Sequence, residues 1–153
     1  MVLKGISPLI SPDLLRVLSA MGHGDEIVLA DINFPTSATC KFGAHEIRAD
    51  GHNIPDLLTG ILRLFPLDTY VTSPAAVMQV VPDDVQKGIV IPVWEKYELI
   101  IIESEGMNVE LEEVERFAFY NRAKSAYAIV ATGETAPYGN LILKKGVVSH
   151  VSV

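Results

Sequence analysis

Cysteine is almost missing from this chain of 153 residues, in which Cys40 stands alone. An intrachain disulfide is therefore excluded, and a reducing compartment suits the sequence, with the cytoplasm as the expected location. Positive charge is scarce as well. Twelve Lys and Arg stand against 19 Asp and Glu, for a net charge of −7 and an isoelectric point near 5.0. Lys144-Lys145 is the only basic pair. Phosphate backbones and anionic lipid need clustered cations, so neither nucleic acid nor membrane is expected as a partner. Apolar runs never exceed a few residues, far short of the roughly 20 needed to cross a bilayer. Pro8, Pro12 and Asp13 interrupt the place where a signal peptide needs an unbroken apolar stretch. Internal repeats, low-complexity tracts and linkers are absent too.

What the chain does have is apolar residue content. Hydrophobic residues make up 49% of it, enough for a core, and the length fits one domain over residues 1–153. A mean hydropathy of +0.31 is high for so small a chain and points to apolar surface buried between copies, hence to a homo-oligomer.

Ser11-Pro12-Asp13 opens a helix with a capping hydroxyl, a proline in the first turn and an acid at the positive end of the dipole. Leu14, Leu15, Val17, Leu18 and Met21 follow at helical spacing, and Gly22 stops them. Ile27 to Ala30 is an apolar strand. Asn33 to Gly43 reads as irregular, and His45 to Arg48 as a short strand closed by Asp50-Gly51. Asn53 caps a second helix whose stripe runs to Phe65, with Pro66 as its end. Val77 to Val81 reads as a strand stopped by Pro82. Trp94 to Ser104 and Glu112 to Ser125 read as helices, with the acidic run from Glu110 to Glu115 as a solvated helix start. Tyr127 to Ala131 and Leu141 to Leu143 are the continuous apolar runs of strands covered on both faces. Strands alternating with helices predict an α/β fold: a single three-layer domain with a largely parallel central sheet flanked by helices.

The stretch Met21-Gly22-His23-Gly24 followed by Asp25 to Pro35 is the chemical centre of the sequence. It delivers His23 before a strand and Asp31 after it, about 15 Å apart along extended chain. If both serve one site, the loop carrying His23 folds back or the site is shared between subunits. His23 has a plainer reading as a loop histidine bonded to a helix end, and Asp31 as a loop cap, although ligands of open α/β sheets gather where Asp31 falls. Tyr120 reads equally as a core aromatic, and Tyr138-Gly139-Asn140 as a turn. His23, His45, His52 and His150 lack the short spacings of a zinc site. Gly22-His23-Gly24 lacks the Lys and Ser/Thr of a phosphate-binding loop and precedes its strand. Cys40 reads as a spectator thiol.

Taken together, Ile6 to Pro12, Met21 to Ile27, Asp31 with Phe34-Pro35, Ile47 to Gly51, Leu67 to Tyr70, Arg116 to Tyr120, Thr132 to Glu134 and Tyr138 to Val147 resemble the fucose mutarotase family, relatives of bacterial ribose pyranase. The resemblance runs nearly end to end, and Thr36 to Ala44 and Asp83 to Glu110 diverge. It implies interconversion of the α and β anomers of L-fucose with no cofactor. By the same resemblance His23 is a proton donor and acceptor and Tyr120 the second acid/base. Asp31, Asp68, Tyr138 and Asn140 hold sugar hydroxyls, Met78 lines the pocket, and Asp68 is open to a share in proton transfer. Relatives assemble as dimers or rings of dimers. The competing readings are a ribose-type pyranose–furanose isomerase and a non-catalytic sugar-binding regulatory module.

Overall fold

The computed structural model describes residues 2–149, so His150 lies outside the described residues. Its elements are α1 (Pro12–Ala20), β1 (Glu26–Ala30), α2 (Thr36–Cys40), β2 (His45–Ala49), α3 (Ile54–Leu62), β3 (Ala75–Met78), α4 (Pro82–Gln86), α5 (Pro92–Glu105), β4 (Glu112–Val114), α6 (Arg116–Lys124), β5 (Ala128–Thr132) and β6 (Leu141–Lys144). The six strands form one sheet in the order β2-β5-β1-β6-β3-β4. The pairs β2/β5, β5/β1 and β3/β4 are parallel, whereas β6 runs antiparallel to both β1 and β3. Five strands therefore point one way and β6 alone points back, which is the largely parallel sheet expected.

Alternation along each strand builds two cores. Ile27, Leu29, Val77, Val130, Leu141 and Leu143 face α1, α3 and α5 and pack with Leu14, Val17, Leu57, Leu58, Ile61, Tyr97 and Ile101. Val28, Ala30, Ala76, Met78, Ile129 and Ile142 face the other way, where Phe34, Phe119 and Ala123 cover them. A sheet coated on both faces makes three layers.

Caps set the helix starts. The Ser11 side chain accepts from Leu14 N–H and the Asn53 side chain from Asp56 N–H. Several boundaries differ from the sequence reading. Residues 36–40 form a short helix, stabilised by buried Thr36 and Thr39 and by a bond from Thr39 Oγ1 to the Pro35 carbonyl. Glu112 to Val114 is an edge strand beside β3 and no part of a helix. The helix begins at Arg116 because the Glu115 carboxylate caps it, accepting from Phe117 and Ala118 N–H at 3.0 Å each. The strand expected at Val77 to Val81 is Ala75–Met78, and Val81 caps α4. No helix among the described residues is long and apolar enough to cross a membrane.

Candidate functional site

The C-terminal ends of the parallel strands form a cavity of about 350 Å³, at the edge where open α/β sheets collect ligands. Asp31 leaves β1, Met78 ends β3, and Tyr138 and Asn140 precede β6; all four line it, with Tyr120 from α6. The cavity thus unites five of the seven residues singled out from sequence. Arg116, Asn33, Phe34, Val81, Asp84 and Pro137 complete it. A second cavity of about 430 Å³ opens on the far side of Asp31, walled by Thr36, Arg48, Asp50 and Thr132. The first is the candidate site because the expected residues converge on it.

Asp31 is buried. Burial pushes its carboxyl above the usual carboxylate range, against the pull of backbone N–H groups of Asn33, Gly139 and Phe34. Its own N–H donates to Asn140 Oδ1 at 2.7 Å, which locks the start of β6 to the end of β1. Arg116 and Tyr120 lie one turn apart on α6, with the guanidinium 6.0 Å from the Tyr120 ring centre, and that ring packs on Phe34 at 5.6 Å. The helix is held to the sheet by Arg122, which donates to Glu26 on β1 at 3.0 Å and to Glu112 on β4 at 3.2 Å.

Helix α5 fixes the Tyr138-Gly139-Asn140 loop. Trp94 Nε1 donates to the Tyr138 carbonyl at 2.9 Å, and the Tyr97 hydroxyl to the Gly139 carbonyl at 2.6 Å. Burial raises the Tyr97 phenol far above its ordinary value, so it stays a donor. Tyr138 adopts a left-handed backbone, φ 55°, uncommon for a residue with a side chain. Its hydroxyl donates to Asp84 Oδ2 at 2.6 Å and accepts from Val81 N–H at 3.3 Å. Burial and the bond to Asp84 push this phenol up as well.

The other two expected residues stand at the opposite end of the sheet. His23 follows α1 and precedes β1, and its Nε2 lies 3.1 Å from Asp68 Oδ1. A carboxylate only accepts, so Nε2 carries the hydrogen and Nδ1 is the free basic nitrogen of the neutral ring. Asp68 is 4% exposed whereas the His23 side chain is 44% exposed, with Tyr70 packed against the imidazole at 5.3 Å. Burial acts to raise the Asp68 carboxyl, but the Tyr70 N–H, the His23 ring and Lys144 outweigh it, so its value lies below the ordinary one. Asp68 therefore faces His23 and does not line the cavity that holds Asp31.

The exit of β6 holds this pair together. Lys144 carbonyl accepts from Asp68 N–H at 3.0 Å, and Lys145 carbonyl from Gly24 N–H at 2.8 Å. Lys145 Nζ also donates to the carbonyls of Leu18 and Met21 at the end of α1. Gly24 has φ +87°, a left-handed turn that suits a residue without a side chain, whereas Gly22 lies outside that region.

The sequence does not single out Asp84, Trp94 or Tyr97, and it marks Arg116 only as the first residue of the Arg116 to Tyr120 stretch. Arg116 carried a signal, one turn ahead of Tyr120. The other three act through partners 42 to 54 residues away, which no local pattern marks. Among the described residues no three His, Cys, Asp or Glu side chains gather as a metal site requires.

The chain is 60% identical to a fucose mutarotase of Danio rerio over 147 residues, 96% of this chain and 95% of that protein. The crystal structure of the fucose mutarotase of Streptococcus pneumoniae in complex with L-fucose superposes with a TM-score of 0.86 at 50% identity, covering 95% of this chain and 99% of that one. A structure of FucU from Bifidobacterium longum gives 0.89 at 48% identity with the same coverage. Residues 4–148 match the model of the RbsD / FucU transport protein family, and with that the chain belongs to the RbsD / FucU family.

Proposed function

We propose that this chain is an L-fucose mutarotase, an isomerase that interconverts α- and β-L-fucopyranose, built as one sugar mutarotase domain over residues 1–153 and working in the cytoplasm. The observation that carries the reading is the convergence of Asp31, Met78, Tyr120, Tyr138 and Asn140 on one cavity in a chain so similar to fucose mutarotases. Single unpaired Cys40 suits a reducing compartment.

The chemistry asks for two proton carriers. One takes the proton of the anomeric hydroxyl while the other protonates the ring oxygen; the C1–O5 bond breaks, the aldehyde turns about C1–C2, and the reverse transfers close the ring on the other face. Tyr120 is one carrier. His23 is the other, with Asp68 holding the Nε2 hydrogen so that Nδ1 is free to accept. Asp31, Asn140 and Arg116 hold sugar hydroxyls. The ring of Phe34, the Met78 side chain and Val81 give an apolar side to the cavity, which suits the methyl of a 6-deoxy sugar.

Within one chain the five residues of β1 separate His23 from this cavity by about 16 Å. The His23 that serves a given cavity therefore comes from a second copy, and the protein works as a homo-oligomer. An exposed imidazole on a fixed, buried carboxylate is built to reach outward.

Saturation transfer between the anomer signals of fucose in proton NMR tests the reading. Exchange rises with enzyme for fucose and much less for ribose, and His23→Ala abolishes it while the fold is retained. Unchanged exchange in that variant rejects His23 as proton carrier. A protein that binds fucose without speeding exchange is a binding module only, and a monomer by light scattering at micromolar concentration contradicts the shared site.

A further inference from the structure

Helix α4 forms one side of the cavity although none of its side chains is buried, and its one apolar residue other than proline, Val85, is 60% exposed. Hydrophobic burial therefore does not hold it in place. What ties its start to the body is the Tyr138 hydroxyl, which accepts from Val81 N–H at 3.3 Å and donates to Asp84 Oδ2 at 2.6 Å. Val81 and Asp84 both line the cavity, as does Tyr138. A phenol has one hydrogen and two lone pairs. Here the hydrogen is committed to Asp84 and one lone pair to Val81. What remains for a ligand is one lone pair and the face of the ring.

We infer that Asp84 is a positioning residue of the sugar site: by taking the Tyr138 hydrogen it turns that phenol into an acceptor toward a sugar hydroxyl and pins α4 as the wall of the cavity. This rests on the reading of the cavity as the fucose site. Asp84 acts through Tyr138, and the anchoring carboxylate makes the bond one of the stronger class. The tyrosine itself is held from behind by Trp94 at its carbonyl, so loss of Asp84 frees α4 and the hydroxyl without displacing the backbone of Tyr138. Lys87, 3.7 Å from Asp84 Oδ1, faces the other carboxylate oxygen.

The test compares Asp84→Ala, Asp84→Asn, Tyr138→Phe and the double variant Asp84→Ala/Tyr138→Phe by fucose exchange kinetics and by hydrogen exchange of the Val81 amide in the sugar-free protein. Asp84→Ala raises KM about tenfold, the scale of one hydrogen bond to a charged acceptor, and leaves kcat within about twofold of wild type. Asn keeps an acceptor oxygen, so Asp84→Asn stays within about threefold of wild type in KM, a partial loss of bond strength. The double variant is no worse than the worse single one, because both break the same link. Val81 amide exchange quickens about tenfold in Asp84→Ala and Tyr138→Phe and not in Asp84→Asn, while β1 amides stay protected and show the fold intact.

Unchanged KM in Asp84→Ala, additive effects in the double variant, or a fall in kcat at constant KM overturns the inference. So does an Asn variant as impaired as Ala. If the wild-type protein does not exchange fucose anomers, the functional reading has failed on its own, and Val81 amide exchange still decides whether Asp84 and Tyr138 fasten α4.

Discussion

Replacing Tyr97 by Phe removes one oxygen from the centre of the molecule and tests how the Tyr138-Gly139-Asn140 loop is held. Tyr97 is fully buried, and its hydroxyl donates to the Gly139 carbonyl, itself in a buried residue, at 2.6 Å. The ring stays in Tyr97→Phe, so apolar packing against α3 and the sheet is conserved and the change isolates the hydrogen bond. The carbonyl is left without its donor, at a cost of about 1–3 kcal/mol for a buried acceptor. An unfolding entropy of about 2.1 cal/mol/K per residue gives about 0.32 kcal/mol/K for a chain of this length, so each kcal/mol lowers Tm by about 3 °C. Tm is expected to fall by about 3–9 °C, measured by calorimetry at equal protein concentration because any association between copies shifts Tm by mass action. The effect reaches the site through the next residue: Asn140 Oδ1 accepts the Asp31 N–H at 2.7 Å, so a loosened Gly139 raises KM for fucose. A Tm within 1 °C of wild type, a change of only about 0.3 kcal/mol, would show that the carbonyl finds another donor and would refute the account of α5 as the support of this loop.

Two further predictions probe the two ends of the sheet. In Gly146→Ala a Cβ meets the Leu67 carbonyl and comes within 2.8 Å of Asp68 Cα; we expect a loss of about 1–3 kcal/mol from overpacking and a larger loss of kcat than of stability, read by denaturant unfolding and fucose exchange, because Asp68 is displaced from His23. Asp31→Asn relieves a buried carboxylate whose folded value lies above the unfolded 3.8. The stability that group contributes is full below 3.8 and is lost as pH rises through the folded value. The variant is therefore expected to melt higher than wild type at pH 7, with the gap closing as pH falls toward 4, while its fucose exchange is impaired; a gap independent of pH counts against the argument.

Legibility from sequence divided along physical lines. The starts of α1 and α3 were visible because their caps are local: Ser11 and Asn53 each satisfy an amide three residues on. The apolar runs at Ile27, Tyr127 and Leu141 were visible because strands coated on both faces carry no polar side chains. Glu112 to Val114 was not, since an edge strand of three residues with two exposed acids has no local strand signal and exists by pairing with β3. Thr36 to Cys40 was misread because its helix rests on the burial of two threonines, and threonine is a poor helix former. For the site, His23, Asp31 and the Tyr138-Gly139-Asn140 run could be singled out by residue type and position. That His23 and Asp31 stand apart was legible, since a strand lies between them; that the Tyr138-Gly139-Asn140 run meets Asp31 was not, because it depends on the direction of β6. The supports Trp94 and Tyr97 stayed invisible for the same reason: a buried aromatic donor needs a partner, but nothing nearby in the chain names it.

Strand direction is also what joins the two halves of the proposed site. In an all-parallel sheet every strand would deliver its exit to the cavity side. β6 runs the other way, so its approach, Tyr138-Gly139-Asn140, falls beside Asp31 at one end, and its exit, Lys144-Lys145-Gly146, falls beside His23 and Asp68 at the other. Four residues of strand thus hold both the Tyr138-Gly139-Asn140 loop and the frame of the imidazole. Because β6 lies at the centre of the sheet between β1 and β3 and its Leu141, Ile142 and Leu143 are fully buried, neither half moves without disturbing both cores. A rigid protomer of this kind cannot bring its own His23 round to its own cavity. It can only hold the two at a fixed separation, the geometry a ring or dimer needs if each copy is to complete its neighbour's site.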